Sequence, residues 1–104
     1  MNQAERFALA LRTLRMKGWC QHVATDAEGR VCAAQAFCAN VYVEPRAFSR
    51  DCELFSNTMS ELFPSLFENR FGIVGINDHL HTSWPMVEQG LEKCIVKAQE
   101  MEAI

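Results

Sequence analysis

Near the end of the chain Val87, Leu91, Cys94, Ala98 and Met101 recur at steps of four and three, with Ile95 alongside, while Glu88, Glu92, Lys93, Lys97 and Glu100 face the other way. This is the helical period, and it sets an apolar stripe against a charged surface. Such a helix is stable only when its stripe is covered, so the rest of the chain must supply elements that pack on it. The stripe spans barely two heptads, which suits an intramolecular core better than a seam between chains. Thr82 or Ser83 is placed to cap this helix, with Pro85 in its first turn. Gly90 lies inside it at a cost of about 1 kcal/mol relative to alanine, which points to a close packing contact or to mere tolerance.

Two more segments carry the same period. Residues 3 to 17 place Phe7, Ala10, Leu11 and Leu14 on one stripe, with Asn2 and Glu5 spaced as an N-cap and its partner and Gly18 as a stop. From Phe48 to Phe63, the residues Phe48, Cys52, Phe55, Met59, Leu62 and Phe63 form a stripe, with serines, Glu53, Asn57 and Glu61 opposite. The run from Cys32 to Val43 is apolar nearly all round, which fits a buried helix or a buried strand, and its alanines favour the helix. On a helix Cys32, Ala36, Ala39 and Val43 would share one narrow face, and Glu44-Pro45 ends the element.

Between these lie shorter pieces. Trp19 to Ala24, the turn Thr25 to Arg30 and then Val31-Cys32 read as a short β-hairpin, with Gly29 supplying the positive φ of the turn. After Pro64, the residues Leu66, Phe67 and Phe71 lead into Gly72-Ile73-Val74-Gly75-Ile76, and Asn77 to His81 read as a polar loop. The expected fold is therefore mainly α, four helices around one core with a short β-hairpin after the first. An α+β arrangement is the alternative, should Cys32 to Val43 or Ile73 to Ile76 join a sheet. A chain of 104 residues with 49% apolar residues makes one compact domain over 1–104 and can fold without a metal or disulfides.

Charge and cysteine content narrow the function classes. A net charge of −3 has the wrong sign for a general nucleic-acid binder, and Arg6, Arg12, Arg15 and Lys17 do not share one helix face. Glu5, Arg6, Arg12, Arg15 and Lys17 also interrupt any signal-peptide core or membrane span near the start. The five cysteines (Cys20, Cys32, Cys38, Cys52, Cys94) are odd in number and lack a close CxxC pair, which suits reduced thiols in a cytoplasmic protein.

Few groups can carry chemistry. Asn77, Asp78, His79 and His81 form the densest polar cluster, and the fold could bring Cys20 and His22 near it. Imidazole, thiolate and carboxylate together would ligate zinc, through His79, His81, His22 and Cys20, or run general acid–base chemistry. Cys20 with His79 or His81, oriented by Asp78, would make a nucleophile pair. The simpler reading is a capped loop whose Asn and Asp bond backbone groups. No phosphate-cradling, zincin or nucleophile-elbow motif occurs, and no cofactor is expected. Trp19 and Trp84 each sit at an element boundary, where tryptophan can anchor a partner.

Gly18-Trp19, Gln21, Asp26, Gly29-Arg30, Asn77-Asp78 and the helix positions Val87, Leu91 and Ala98 together resemble a small uncharacterised domain family of actinobacteria and their phages. Ile76 stands where that pattern has tryptophan, and Glu44 to Phe71 departs from it. The resemblance implies a compact domain carried on mobile elements and brings no catalytic residue. The expectation is thus a small non-enzymatic interaction or regulatory protein, phage- or mobile-element-borne, that binds a protein partner or a second copy of itself, with Trp19, Trp84, Asn77 and Asp78 as binding residues. The alternative class is a small-ligand binder or hydrolase using the Asp/His cluster.

Overall fold

The first helix is set by its ends as much as by its stripe. In the computed structural model, which describes residues 1–38, 44–67 and 72–103, α1 runs Gln3–Lys17. The Asn2 side chain accepts from the Glu5 N–H at 2.9 Å, and Glu5 accepts from the Asn2 N–H at 3.1 Å, so two otherwise unpaired donors are satisfied reciprocally. Gly18, at φ 90°, ends the helix and bonds back to the Leu14 carbonyl. Arg30 lies so close over Gly18 that a Cβ there would come within 2.8 Å of its Cγ.

Four more helices follow among the described residues: α2 (Ala33–Phe37), α3 (Pro45–Leu62), α4 (Ile73–Asp78) and α5 (Trp84–Glu102). The longest contact runs between α1 and α5. They are antiparallel, because the Ala4 N–H donates to Glu102 (3.1 Å) at one end while Arg15 bonds Glu88 (2.8 Å) and Glu92 (2.9 Å) at the other. Phe7, Ala10, Leu11 and Leu14 meet Val87, Leu91, Cys94 and Ala98 in the core, as the period requires, whereas Met101 in the last turn is half exposed. Edge-to-face contacts of Phe7 with Phe37 (5.7 Å) and of Phe37 with Phe55 (5.9 Å) join α1, α2 and α3.

Helix α3 begins at Pro45, three residues before the apolar stripe, with proline in the first turn where its missing N–H costs nothing. It is buried on more than its stripe. Ser56 and Ser60, expected on the solvent side, are buried, as are Thr58 and Asp51. Arg6 grips the Asp51 carboxylate with two bonds of 2.7 and 3.0 Å, and Gln3 adds a third at 3.1 Å, which pins α1 to α3. Lys97 on α5 reaches Thr58 (3.1 Å) and Glu61 (2.6 Å) in the same way.

The mainly helical expectation holds, but the hairpin does not form. His22 adopts φ 72°, which turns the 19–25 run back on itself. Its two ends therefore flank Val31, Trp19 through a parallel bridge and Thr25 through an antiparallel one, instead of pairing as one strand. Gly29 does take the positive φ, 82°. The described part of the apolar run, Ala33–Phe37, is helical, while Ala39, Asn40, Tyr42 and Val43 lie outside the described residues, as does Phe71. Ile73–Ile76 is helical too and joins no sheet, and Asn77 and Asp78 belong to α4 and not to a loop. Neither Thr82 nor Ser83 caps α5 with its side chain. No described helix is long and apolar enough to cross a membrane, and all five cysteines are free thiols.

Gly90 is resolved by this packing: the α5 backbone there lies directly on the Met59 sulfur and the Phe55 ring, and a Cβ would overlap the sulfur. Gly90→Ala gains about 1 kcal/mol of helix propensity and incurs overpacking of about 1–3 kcal/mol. Urea unfolding is expected to show a net loss, whereas Gln89→Ala on the exposed side stays within about 0.5 kcal/mol of the parent.

Candidate functional site

Helix α4 has six residues, too few to persist alone, so its presence must be explained by what holds it. Ile76 and Asn77 are its buried residues, and Asn77 is only 1% exposed. A primary amide buried this deeply is costly unless its two donors and its acceptor lone pairs are met. All four positions are filled. Oδ1 accepts from the Trp19 indole N–H at 2.7 Å and from the Ala33 N–H at 2.9 Å. Nδ2 donates to the Cys20 carbonyl at 3.1 Å and to Asp78 Oδ1 at 2.9 Å. Two N–H groups on one side and a carbonyl and carboxylate on the other fix which way the amide points.

The segment that Asn77 captures returns the favour at the end of α4. Gln21 Nε2 donates to the carbonyls of Asn77 (2.9 Å) and His79 (3.0 Å), and the Thr82 hydroxyl donates to the Ile76 carbonyl (2.6 Å). Carbonyls at a helix end lack intrahelical partners, and here the side chains add to the backbone bonds from the His79 N–H to Ile76 and from the Thr82 N–H to His79. The His22 N–H then donates to Asp78 Oδ1 at 2.8 Å, which holds His22 at its positive φ. On the far side of the turn Asp26 accepts from the Glu28 and Arg30 N–H groups and takes the Arg30 guanidinium at 2.6 Å. Slight desolvation would raise the Asp26 pKa, but these bonds from Arg30 and Glu28 hold it below the usual value.

Trp19, Asn77 and Asp78 are thus brought together, and Gln21, Asp26 and Arg30 lie in the same network. Trp84 stands apart, half-buried at the start of α5 against the core. The metal set does not assemble: among the described residues no three of the His, Cys, Asp and Glu side chains come together as a cation site. Cys20 is buried, with its sulfur 3.3 Å from the Arg30 carbonyl and 3.5 Å from that of Val23. Burial first, then Asp26 and Cys32, push its thiol pKa up, the opposite of what a nucleophile needs. His79 leans edge-on against Phe67 at 5.4 Å, and its Nδ1 accepts from the His81 N–H at 3.1 Å. Burial also pushes up the thiols of the half-buried Cys52, to about 12, and the buried Cys94, to about 11.

What the network leaves open is a cleft of about 220 Å³ between the 22–24 turn, α2 and α4. Val23, Ala24, Ala34 and Val74 give it apolar walls, Asn77 lies at its base, and His22, Gln35, Cys32 and Asp78 supply polar atoms. Val23 and Val74 are 50% and 58% exposed. Burial alone would raise the Asp78 pKa, but the His22 N–H, the Asn77 amide and the nearby imidazole together hold it below the usual carboxylate value. Neither the Ala34 wall nor the exposed Val74 was among the residues singled out from the sequence, since nothing local distinguishes an alanine or valine beside a cleft from one in a core. Comparison with protein-family models, with curated proteins and with solved structures finds no match to this chain.

Two predictions follow from the amide. Asn77→Asp replaces a donor by an acceptor facing the Cys20 carbonyl and the Asp78 carboxylate, and thermal or urea unfolding is expected to show a loss of about 3–5 kcal/mol. Trp19→Phe removes one N–H and leaves the Ala33 bond, so its loss is nearer 1–2 kcal/mol. For Asp78 the folded pKa lies below the unfolded one, so its contribution is full above the unfolded value and disappears as pH falls through the folded value. Asp78→Asn is therefore expected to flatten the acid limb of a Tm-against-pH curve below about pH 4 relative to the parent.

Proposed function

We propose that this chain is a small protein-interaction module without a reaction of its own, and that the cleft between the 22–24 turn, α2 and α4 receives its protein partner. The observation that carries this reading is the division of labour around Asn77. The Asn77 amide is wholly committed to holding the fold, while Val23, Ala24, Ala34 and Val74 give the cleft apolar walls and Val23 and Val74 stand exposed. An apolar surface held open beside a buried amide whose own donors and acceptor are all met is the arrangement of a recognition surface.

The competing hydrolytic reading needs convergent titratable groups with pKa values drawn toward the working pH. Of Asp78, His22, His79 and His81 only Asp78 and His22 line the cleft, and Asp78 is shifted away from neutrality. A volume of about 220 Å³ also falls below the roughly 300–1,000 Å³ of pockets that enclose a drug-sized ligand, and suits one or two side chains of a protein.

A photo-reactive residue in place of Val74 is expected to form an adduct with a partner in cells, whereas the same group in place of the exposed Glu100 on α5 forms none. Filling the cleft with Ala34→Trp, at unchanged Tm, is expected to abolish the adduct. No adduct from position 74, or one indifferent to Ala34→Trp, overturns the reading, and an adduct of twice the chain mass replaces the foreign partner by a second copy.

A further inference from the structure

Asp78 lines the cleft and uses one carboxylate oxygen, Oδ1, for the fold. The His22 N–H and the Asn77 amide both bond Oδ1, at 2.8 and 2.9 Å, and among the described residues no donor bonds Oδ2. The carboxylate lines the same cleft as the apolar side chains of Val23, Ala24, Ala34 and Val74. Two donors on one oxygen fix its position and favour its ionised form, so a negative charge is held rigidly beside apolar walls. A group that satisfies such a site has an apolar stem and a cationic end.

We propose that the cleft is a subsite for a lysine or arginine side chain of the partner, its methylene stem along Val74 and Ala34 and its cation on Asp78 Oδ2. Both cations have the stem-and-head shape that covers apolar surface while keeping the charge at a polar group. The charge balance agrees, since the chain is net acidic at −3 and electrostatic attraction would steer a basic segment toward it. Two of the α1 cations, Arg6 and Arg15, are already paired elsewhere, with Asp51, Glu88 and Glu92. This inference rests on the cleft being the docking surface and adds the charge of what enters it.

The test uses three small probes of one stem length, n-butylammonium, n-butylguanidinium and 1-butanol, read by NMR shifts of the Val23, Val74, Ala24 and Ala34 methyl groups. At about pH 8, above the ordinary titration of imidazole, one or both cations are expected to move these methyls at concentrations where the alcohol does not. The stronger cation names the side chain. Asp78→Asn, which keeps an Oδ1 acceptor for the His22 N–H, is expected to weaken the cation by about fivefold or more. Should that variant unfold, raising salt on the parent protein serves instead, and the cation affinity is expected to fall as salt rises. Equal shifts by butanol and the cations, unchanged in Asp78→Asn or in salt, overturn the charge assignment and leave an apolar docking cleft. No methyl shift with any probe overturns the subsite, while the cross-link from position 74 decides the docking surface separately.

Discussion

The buried Asn77 amide is the constraint on which the polar half of this molecule depends. An amide at 1% exposure leaves no room for a partial solution, because each unmet donor or acceptor costs about 1–3 kcal/mol. Its four partners come from Trp19, Cys20, Ala33 and Asp78, so the amide is satisfied only when the 18–33 segment is folded against α4. The positive φ of His22, the start of α2 and the closed C-terminal end of α4 are consequences of that requirement. The 18–33 segment needs no sheet, since its backbone groups are answered by the Asn77, Asp78 and Asp26 side chains and by bonds within the segment, Cys20 and Gly18 with Val31, Cys32 with Ala24 and Asp26 with Arg30.

The apolar half obeys a different rule. Burial on α1, α3 and α5 is nondirectional, and the same stripes would tolerate small slides and rotations of one helix on another. Directional groups at the margins remove that freedom. Arg6 on Asp51 fixes α1 against α3, Lys97 on Thr58 fixes α5 against α3, and Glu102 with Arg15 fixes both ends of the α1–α5 pair. The Arg6–Asp51 pair is the strict member, because the carboxylate is 1% exposed and would be left buried without its guanidinium. Gly90 sets the closeness of α3 and α5 by being absent as a side chain.

How much of this the sequence discloses follows from the range over which each constraint acts. The period of α1, α3 and α5 and the Asn2–Glu5 box are local patterns several residues long, and they are readable without knowing the fold. Helix α4 spans one and a half turns, below what periodicity can register, and its Asn77-Asp78 end has the composition of a loop. It is helical because Gln21 and Thr82 complete its carbonyls from outside, and no local rule points across 56 residues from Gln21 to Asn77. The hairpin expectation fails for a related reason: turn chemistry at Asp26 to Arg30 is present, yet His22 redirects the preceding run toward Asp78. Trp19, Asn77 and Asp78 stood out by residue type. That they belong to one network, and that an apolar cleft opens beside it, depends on the meeting of α2 and α4, which is a property of the three-dimensional fold alone.

On the proposed cation subsite, the double use of Asp78 would link recognition to stability. Its ionised carboxylate secures the 22–24 turn through Oδ1, and the folded state gains from that ionisation whenever pH lies above the carboxylate's unfolded value. A cation arriving at Oδ2 would favour the same ionised form, so the partner and the turn would stabilise one another through a single charge. By linkage, anything that loosens the turn, a change at Asn77 or at His22, would then weaken cation binding without touching the cleft walls, and an occupied cleft would resist acid unfolding further than an empty one. A purely apolar docking surface would gain stability from its partner as well, but that gain would not depend on the ionisation of Asp78, and the dependence on pH is what separates the two.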